Sequence, residues 1–212
     1  GIAFDGDADR CLAVDELGNL IDGDQIMAAC GLDLLQKGKL SGETVVATVM
    51  SNLGLHRFVK EHGMKLECTN VGDRNVLERM LEKGYAIGGE QSGHMIFLEH
   101  ATTGDGELTA LQMLALLKES GKKASEVFGA CPRYPQVLIN IPVANNDAKK
   151  AIMASGALAQ AVAGDEEKLG DDGRVLVRPS GTEALMRVMV EAKTEQTAQE
   201  AAQRLADLIA KL

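Results

Sequence analysis

The sequence predicts an α/β fold followed by a smaller domain of helices and strands. Over the first 130 residues, short runs of β-branched and aliphatic residues alternate with segments of helical periodicity, which is typical of α/β layer folds. Glycines follow several of the helical segments and mark their ends. A cluster of Gly, Cys and Pro at residues 129–135 then interrupts the alternation and predicts a domain boundary.

The elements before the boundary follow from these patterns. An apolar run at residues 2–4 predicts a strand, and turn formers at 16–19 predict a hairpin between the strand 11–15 and the strand 20–21. The next segments are, in chain order, helix 24–36, strand 44–49, helix 53–62, strand 65–68, helix 73–83, strands 85–87 and 95–97, and helix 107–118. In the last of these helices, the spacing of Leu108, Leu111 and Ala115 predicts the buried face.

Beyond the boundary, the predicted elements are a strand at 136–141, a single helix at about 147–162, a polar loop at 164–173 and two strands around the segment 178–183. A final helix follows, with Thr197 and Glu200 at the spacing of a capping box. Its apolar residues recur at helical spacing and predict packing on the sheet. They are Ala198, Ala201, Ala202, Leu205, Leu208, Ile209 and Leu212.

The composition of the 212 residues is that of an ordinary globular protein, with 45% hydrophobic and 25% charged residues. The formal net charge of -9 argues against a nucleic-acid partner. The longest basic runs are the pairs at 122–123 and 149–150, which we expect to lie on solvated helix faces. No apolar run approaches the ~18 residues of a transmembrane helix, so we expect no membrane partner. With no signal-peptide pattern, the sequence predicts a cytoplasmic protein.

The four cysteines are scattered along the chain, at Cys11, Cys30, Cys68 and Cys131. None has the Cys-x-x-Cys spacing of a zinc or redox site. We therefore expect buried, reduced thiols.

The segment 2–10 carries the strongest indication of function. Asp5, Asp7 and Asp9 occupy alternate positions directly after the predicted strand, and the small residues between them let the carboxylates converge. Carboxylate oxygens suit Mg²⁺ or Ca²⁺, and Arg10 adds a fixed positive charge of the kind that phosphate chemistry uses. An EF-hand is excluded because it requires glycine in place of Arg10 and a helix in place of the strand. A phosphatase with Asp5 as nucleophile is an alternative.

Two further polar loops connect predicted strands. The first, residues 89–94, has the sequence Gly-Glu-Gln-Ser-Gly-His and can present Glu90 and Ser92 side by side to a polyol. The second, residues 178–183, has the sequence Arg-Pro-Ser-Gly-Thr-Glu. Its arginine, hydroxyls and glycine backbone amides can form a nest for a dianionic phosphate. Each loop on its own is also compatible with an ordinary turn.

In this order, the three loops resemble those of the α-D-phosphohexomutases. The resemblance extends from residue 1 to residue 191 and includes the segments Val71–Arg74 and Thr102–Gly106. Gln91 stands where relatives that act on mannose or glucose phosphates commonly carry methionine, which favours the branch of the family that acts on glucosamine phosphates. Phosphomannomutase and phosphoglucomutase activities of the same family are alternatives.

The resemblance implies a role for each matching residue. Asp5, Asp7 and Asp9 would bind Mg²⁺. Arg10 would be the catalytic residue that helps to hold the reacting phosphoryl group. The residues implied to bind the sugar are Glu90 and Ser92, and His94 is a further candidate for substrate binding because it lies in the same loop. The residues implied to clamp the phosphate that does not react are Arg178, Ser180, Gly181, Thr182 and Arg187.

The resemblance also implies a domain plan. Residues 1–19 would be a remnant of a second, metal-binding domain, 20–130 a mixed-sheet α/β sugar-binding domain, and 131–212 a smaller α+β C-terminal phosphate-binding domain. The family's phosphorylated serine lies in a Thr-Ala-Ser-His-Asn-Pro type of loop, which this sequence lacks. We therefore expect the C-terminal part of a longer mutase, inactive by itself, whose partners are the missing N-terminal domains and a sugar phosphate.

The implied reaction is the interconversion of glucosamine 6-phosphate and glucosamine 1-phosphate through a phosphoserine and a bisphosphate intermediate. Without the preceding domain and the phosphoserine, we expect the aspartate loop to bind Mg²⁺ weakly. Outside the family, a non-catalytic sugar-phosphate binding module is the remaining alternative.

Overall fold

A computed structural model describes all 212 residues, which form two compact units, Gly1–Arg133 and Tyr134–Leu212. The first unit contains a small antiparallel sheet and a larger mixed sheet, and the second contains one antiparallel sheet. Helices cover the two larger sheets, so the predicted fold class is confirmed. No helix in either unit has the length and apolar character that crossing a membrane requires.

The small sheet holds the start of the chain. Its strands are, in spatial order, β1 (Ile2–Phe4), β2 (Cys11–Val14) and β3 (Leu20–Ile21). Neighbouring strands are antiparallel. The predicted turn between β2 and β3 is closed by Asp15, whose carboxylate accepts hydrogen bonds from the amides of Leu17 and Asn19. The aspartates predicted to bind metal lie in the connection between β1 and β2.

The mixed sheet is the centre of the first unit. Its strands are β4 (Thr44–Thr48), β5 (Lys65–Thr69), β6 (Ile87–Gly89) and β7 (Met95–Phe97). They are arranged in the order β5, β4, β6, β7, with β4 parallel to both of its neighbours and β7 antiparallel to β6. Every residue of β4 is buried, as expected of a central strand covered on both faces.

Helices pack on both faces of the mixed sheet. The helices of the first unit are α1 (Gly23–Gln36), α2 (Leu53–Glu61), α3 (Asp73–Lys83), α4 (Gly106–Ser120) and α5 (Ala124–Val127). Val45 packs in a cluster with residues of α1, α2 and α4. Val46 points to the opposite face and packs with Val76 and Met80 of α3. The alternation of side chains along β4 thus produces three layers.

The elements predicted before the boundary are all present, and their ends agree closely with the prediction. The strand predicted at 85–87 is displaced to Ile87–Gly89, and the short helix α5 was not predicted. A four-residue helix has too few positions to show a helical period, which explains the omission.

The rotation of α4 about its axis differs from the prediction. Leu111 is 64% exposed and Ala115 is exposed too, whereas Met113 lies on the buried face. The first turn of the helix explains the difference, because the amide of Gly106 donates a hydrogen bond to the carbonyl of Ala8. This contact fixes which side of α4 faces the sheet. Because it joins residues distant in the sequence, the spacing of apolar residues within α4 does not reveal it.

The second unit is an antiparallel sheet covered by helices. Its elements are β8 (Gln136–Pro142), α6 (Asn146–Met153), α7 (Gly156–Leu169), β9 (Arg174–Pro179), β10 (Leu185–Glu191) and α8 (Glu195–Ile209). β10 lies between β8 and β9, and Met186, Val188 and Val190 on it are buried in the core with α8. Most of the predicted stripe of α8 is buried, namely Ala198, Ala201, Ala202, Leu205 and Ile209, and Leu208 is partly buried. Leu212 was predicted to belong to the stripe and is 53% exposed, because α8 ends at Ile209.

The single helix predicted at 147–162 is wrong, since α6 and α7 are separate helices. Ser155 has an extended backbone between them, and its hydroxyl accepts a hydrogen bond from the amide of Leu158, which starts α7. α7 then continues to Leu169, so most of the polar loop predicted at 164–173 is helical. The apolar and small residues on either side of Ser155 hide this break from a periodicity argument.

The N-terminus of α8 also differs from the prediction. Thr194 is the capping residue, and its hydroxyl accepts a hydrogen bond from the amide of Thr197. Thr197 therefore lies in the first turn, and Glu200 accepts a hydrogen bond from the side chain of Gln196. The acidic Glu195 directly after Thr194 favours the earlier start, because a negative charge stabilises the first turn of a helix.

None of the four cysteines forms a disulfide, and three of them are buried as predicted, Cys11, Cys30 and Cys131. Burial raises the pKa of the Cys30 thiol to about 12. Cys68 was expected to be buried and is exposed, because it lies on the edge strand β5.

The buried face of α8 offers a test of the hydrophobic core of the second unit. Leu205 is 1% exposed, and we expect Leu205→Ala to lower the free energy of unfolding by about 2–5 kcal/mol through lost burial and the cavity left behind. Leu212→Ala is the matched control, since this side chain is 53% exposed, and we expect a change below about 0.5 kcal/mol. The measurement is urea denaturation followed through the amide signals of β10. Equal effects of the two variants would contradict the assigned core.

Candidate functional site

The aspartate loop, residues 5–10, brings three carboxylates together. Oxygens of Asp5, Asp7 and Asp9 all lie within 4.8 Å of one another. Ala8 has a φ of 57°, in the left-handed region, which turns the chain sharply between Asp7 and Asp9. The backbone amide of Arg10 donates to a carboxylate oxygen of Asp5 at 3.2 Å, and its guanidinium Nε lies 3.8 Å from the other oxygen. The convergence predicted from the alternating pattern is therefore present.

Backbone contacts from two other segments hold this loop. The amide of Cys11 donates to the carbonyl of Gly93 at 3.1 Å, and Arg10 forms an isolated antiparallel bridge with His94. On the other side, the amide of Gly106 donates to the carbonyl of Ala8 at 2.9 Å. The aspartate loop is thus fixed between the sugar loop, which is residues 89–94, and the first turn of α4.

Glycine is required at both of these contacts. A Cβ atom on Gly106 would lie 2.6 Å from the carbonyl oxygen of Arg10 and 2.8 Å from that of Ala8. Gly93 has a φ of 95°, and a Cβ there would collide with the carbonyl of Cys11. Real Cβ atoms do not approach backbone oxygens so closely, so these positions accept no larger residue without movement of the loop.

His94 is buried behind the aspartates. Its Nδ1 donates to a carboxylate oxygen of Asp9 at 2.8 Å, and Gly104 packs directly against the imidazole ring. This hydrogen bond holds the pKa of Asp9 below its usual value. In this structure His94 orients a carboxylate of the aspartate loop, and its predicted role in sugar binding stays a prediction.

The aspartate loop fits a hard divalent cation. It offers three carboxylates with oxygens close enough to share one ion, and Arg10 lies beside Asp5. The side chains of Asp5 and Asp9 are each about one-third exposed, so an ion can reach them from solvent. Asp5, Asp7 and Asp9 are the residues that would hold it.

In the sugar loop, Glu90 is oriented by backbone and side-chain donors. One carboxylate oxygen accepts from the amide of Gly72 at 3.0 Å, and the hydroxyl of Ser92 donates to the other at 3.4 Å. The loop is closed by hydrogen bonds from Glu90 N to His94 O and from Gly93 N to Glu90 O. Glu90 and Ser92 are therefore presented side by side, as predicted from the sequence.

Gln91 of the same loop is directed toward α1. Its side-chain nitrogen lies 3.5 Å from a carboxylate oxygen of Asp22. The backbone carbonyl of Gln91 accepts a hydrogen bond from the amide of Gly23 at 3.0 Å. Asp22 caps α1 and is buried, and this burial raises its pKa. Sequence reasoning missed Asp22, although Asp followed three residues later by Gln is a capping-box pattern that could have located it.

The phosphate loop, residues 178–183, connects β9 and β10 in the second unit. Arg178 and Arg187 are directly opposite each other in the β9–β10 pairing, so their side chains share one face of the sheet. The Nε atoms of both are buried and have no hydrogen-bond partner in the protein. Burial and the neighbouring charge of Arg187 lower the pKa of Arg178. Two adjacent guanidinium groups with unused donors are suited to an anion.

Hydrogen bonds within the loop leave some of its donors unused. Ser180 is buried, its amide donates to the carbonyl of Leu185, and its hydroxyl accepts from the amide of Glu183. The amides of Gly181 and Thr182 have no acceptor in the protein. Exposed consecutive amides in a turn form a concave site for an oxyanion.

Lys149 is a residue that sequence reasoning misplaced. The pair 149–150 was predicted to be a solvated helix face, but Lys149 is buried and only Lys150 is exposed. The Lys149 ammonium donates to the carbonyl oxygens of Ser180 and Glu183 at the two ends of the phosphate-loop turn. No short-range pattern in the sequence links position 149 to this loop, which explains the error.

The structure therefore brings two of the three predicted loops into direct contact. The aspartate loop and the sugar loop lie together in the first unit through His94 and Gly93. The phosphate loop belongs to the second unit.

Comparison with known proteins identifies both units. Residues 22–134 match the family description "Phosphoglucomutase/phosphomannomutase, alpha/beta/alpha domain III", and residues 138–208 match "Phosphoglucomutase/phosphomannomutase, C-terminal domain". The chain belongs to the phosphoglucomutase/phosphomannomutase family. The predicted phosphohexomutase resemblance is thereby confirmed, and the matched regions are the C-terminal two of the family's domains.

Curated relatives in this family are closely similar to the chain. A "Phosphoglucosamine mutase" of Saccharopolyspora erythraea is 54% identical over 210 residues, which cover 99% of this chain and 47% of the relative. A "Phosphoglucosamine mutase" of Thermoanaerobacter sp. is 54% identical over 209 residues, covering 99% of this chain and 46% of the relative. The chain thus spans about half the length of the curated relatives it matches.

A solved phosphohexomutase structure has the same fold. The structure of Aspergillus fumigatus N-acetylphosphoglucosamine mutase in complex with GlcNAc-6P and magnesium is 23% identical to this chain, with a TM-score of 0.82. The match covers 99% of this chain and 48% of that structure. At this identity the similarity establishes the fold alone. The bound GlcNAc-6P and magnesium are features of the fungal protein.

The close approach at Gly106 can be tested. We expect Gly106→Ala to lower the free energy of unfolding by about 1–3 kcal/mol, because the new Cβ would push against the backbone of the aspartate loop. This loss would appear although alanine is the better helix former. Gly6→Ala is the control, since a Cβ there has open space around it. Urea denaturation measures stability, and amide shifts of residues 5–10 report the loop. Wild-type shifts in Gly106→Ala would refute the argument.

Proposed function

We propose that this chain provides the aspartate loop, sugar loop and phosphate loop of a phosphoglucosamine mutase. The observation that carries the proposal is 54% identity, over 99% of the chain, to proteins of that name. The proposed reaction interconverts glucosamine 6-phosphate and glucosamine 1-phosphate by phosphoryl transfer through a phosphoserine and a bisphosphate intermediate. The buried free thiols are consistent with a reducing compartment, and we propose the cytoplasm.

The aspartate loop is proposed to serve the reacting phosphoryl group. Asp5, Asp7 and Asp9 would hold Mg²⁺, which when bound withdraws charge from phosphoryl oxygens. His94 fixes the carboxylate of Asp9 through its hydrogen bond and so keeps one ligand in place. Arg10, whose guanidinium is half exposed beside Asp5, is placed to bind a phosphoryl oxygen directly. The magnesium complex of the fungal neighbour supports this assignment.

The sugar loop is proposed to recognise ring hydroxyls. The Glu90 carboxylate accepts hydrogen bonds, and the Ser92 hydroxyl both donates and accepts them. Because Gly72 and Ser92 already orient the Glu90 side chain, little of its conformational freedom is lost when sugar binds.

The phosphate loop is proposed to clamp the phosphate that does not react. Arg178 and Arg187 supply charge-assisted hydrogen bonds, and the amides of Gly181 and Thr182 supply neutral ones. Bringing a dianion between the two guanidinium groups also relieves their mutual repulsion. A clamp that recognises only phosphate can serve the 6-phosphate of one substrate and the 1-phosphate of the other.

The decisive test of the proposed function compares substrates. We would express the enzyme that contains this chain together with the preceding half of its relatives' length, and measure turnover of glucosamine, mannose and glucose 6-phosphates. A kcat/KM highest for glucosamine 6-phosphate supports the proposal. Preference for mannose or glucose phosphate would assign another activity of the same family.

The 212-residue chain by itself should show no mutase turnover. It lacks the family's serine loop, so no residue carries the phosphoryl group between the two oxygens of the sugar. The measurement is conversion of glucosamine 6-phosphate to the 1-phosphate by purified chain, with Asp5→Asn as a control for any phosphatase activity. Conversion that survives removal of host enzymes would show that another residue is phosphorylated.

Arg178→Ala should weaken sugar-phosphate binding to the chain. A charge-assisted hydrogen bond contributes about 1.5–3 kcal/mol, so we expect the Kd for glucosamine 6-phosphate to rise about 10-fold to 150-fold. The Kd for glucosamine 1-phosphate should rise by a similar factor, because one clamp serves both. Arg79→Ala removes the same charge from a partly exposed ion pair with Glu67 in the first unit and is the control. Calorimetric Kd values unchanged in Arg178→Ala would rule out the clamp.

A further inference from the structure

Lys149 is the one lysine of the second unit that is buried, with 7% of its surface exposed. Its ammonium group donates hydrogen bonds to the carbonyl oxygens of Ser180, at 2.8 Å, and of Glu183, at 2.6 Å. Removing an ammonium group from water is unfavourable unless strong hydrogen bonds replace the solvent. The two carbonyl oxygens of the phosphate loop are therefore what compensates the buried ammonium group of Lys149.

In the phosphate loop, two carbonyl oxygens and two amide hydrogens are treated differently. The carbonyls of Ser180 and Glu183 bind the Lys149 ammonium, whereas the amides of Gly181 and Thr182 have no acceptor in the protein. A carbonyl oxygen carries partial negative charge and repels a phosphate oxygen, while an amide hydrogen attracts it. A loop that directs its carbonyls to a buried cation leaves donors for an anion.

We propose that Lys149 is a positioning residue for phosphate binding. Its ammonium group holds two carbonyl oxygens of the loop on the interior side, and the amides of Gly181 and Thr182 are thereby kept available to the phosphate. The inference deepens the proposed function of the phosphate loop and rests on it. It adds a residue from α6 to a site that otherwise consists of β9, β10 and their connection.

Two lysines on the same helix provide a matched pair of variants. Lys149→Met keeps a long unbranched side chain in the buried site and removes the charge and all its donors. Lys150→Met removes the same charge from a side chain that is 81% exposed and pairs only with Asp147 at 3.5 Å. A third variant, Lys149→Arg, retains the charge and the donors. Inorganic phosphate is the probe, titrated into the ¹⁵N-labelled 212-residue chain while the amide signals of Gly181 and Thr182 are followed.

We expect Lys149→Met to raise the Kd for phosphate about tenfold or more, the scale of one lost charge-assisted hydrogen bond. Lys150→Met should remain within about twofold of wild type, because an exposed charge is screened by solvent. Lys149→Arg should bind within about threefold of wild type, since arginine can still donate to both carbonyl oxygens. Shift changes in Lys149→Met should concentrate at residues 180–184.

Two results would overturn the positioning role. One is a folded Lys149→Met chain that binds phosphate as tightly as Lys150→Met, and the other is a folded Lys149→Arg chain that binds about tenfold more weakly than wild type. Should Lys149→Met fail to fold, Lys149→Arg decides alone, with near-normal binding in support. If wild type shows no saturable response to phosphate, the proposed phosphate loop fails and this inference with it. Normal wild-type binding with an unaffected Lys149→Met removes only this inference.

Discussion

Repulsion between like charges is the constraint on which both candidate sites depend. The aspartate loop holds three carboxylates with oxygens within 4.8 Å of one another, and the phosphate loop sets Arg178 directly opposite Arg187. Each cluster brings like charges close together in the unbound protein, and like charges repel. The surrounding fold must therefore hold the groups together. It does so with backbone contacts and with side-chain hydrogen bonds such as those of His94 to Asp9 and of Arg187 to Glu183.

In the first unit, that restraint comes from close approaches that only glycine permits. Gly93 and Gly106 let the aspartate loop lie against the sugar loop and the first turn of α4, and Gly104 seats the ring of His94. His94 belongs to the sugar loop and hydrogen-bonds Asp9, so the two loops are linked by a side chain as well as by backbone contacts. A change in the backbone of residues 89–94 would therefore reach the carboxylate of Asp9 through one hydrogen bond. This coupling is a property of packing and not of any single motif.

The three candidate loops could be located from the sequence, because alternating aspartates and glycine-flanked polar turns are recognisable patterns with a direct chemical interpretation. Most helices and strands could be predicted as well, since their apolar patterns are local. What could not be predicted depends on contacts distant in sequence. The rotation of α4 is set by the hydrogen bond from Gly106 to Ala8. The buried ammonium of Lys149 binds two carbonyl oxygens that lie more than thirty positions away in the chain. A pattern argument treats Lys149 and Lys150 alike, and only tertiary structure separates them.

The phosphate loop and the sugar loop differ in how their hydrogen-bond donors and acceptors are fixed. The proposed reaction gives a reason for that difference. A mutase must bind one sugar phosphate in two orientations, so recognition of phosphate has to be rigid and recognition of the ring tolerant. The phosphate loop takes its donors from backbone amides and from guanidinium groups anchored in paired strands, with Glu183 bound to Arg187 at 2.6 Å. The sugar loop offers one carboxylate and one hydroxyl, which can bond to hydroxyls of either ring orientation. Rigid anion binding with few sugar contacts is what an enzyme with a reversible substrate orientation requires.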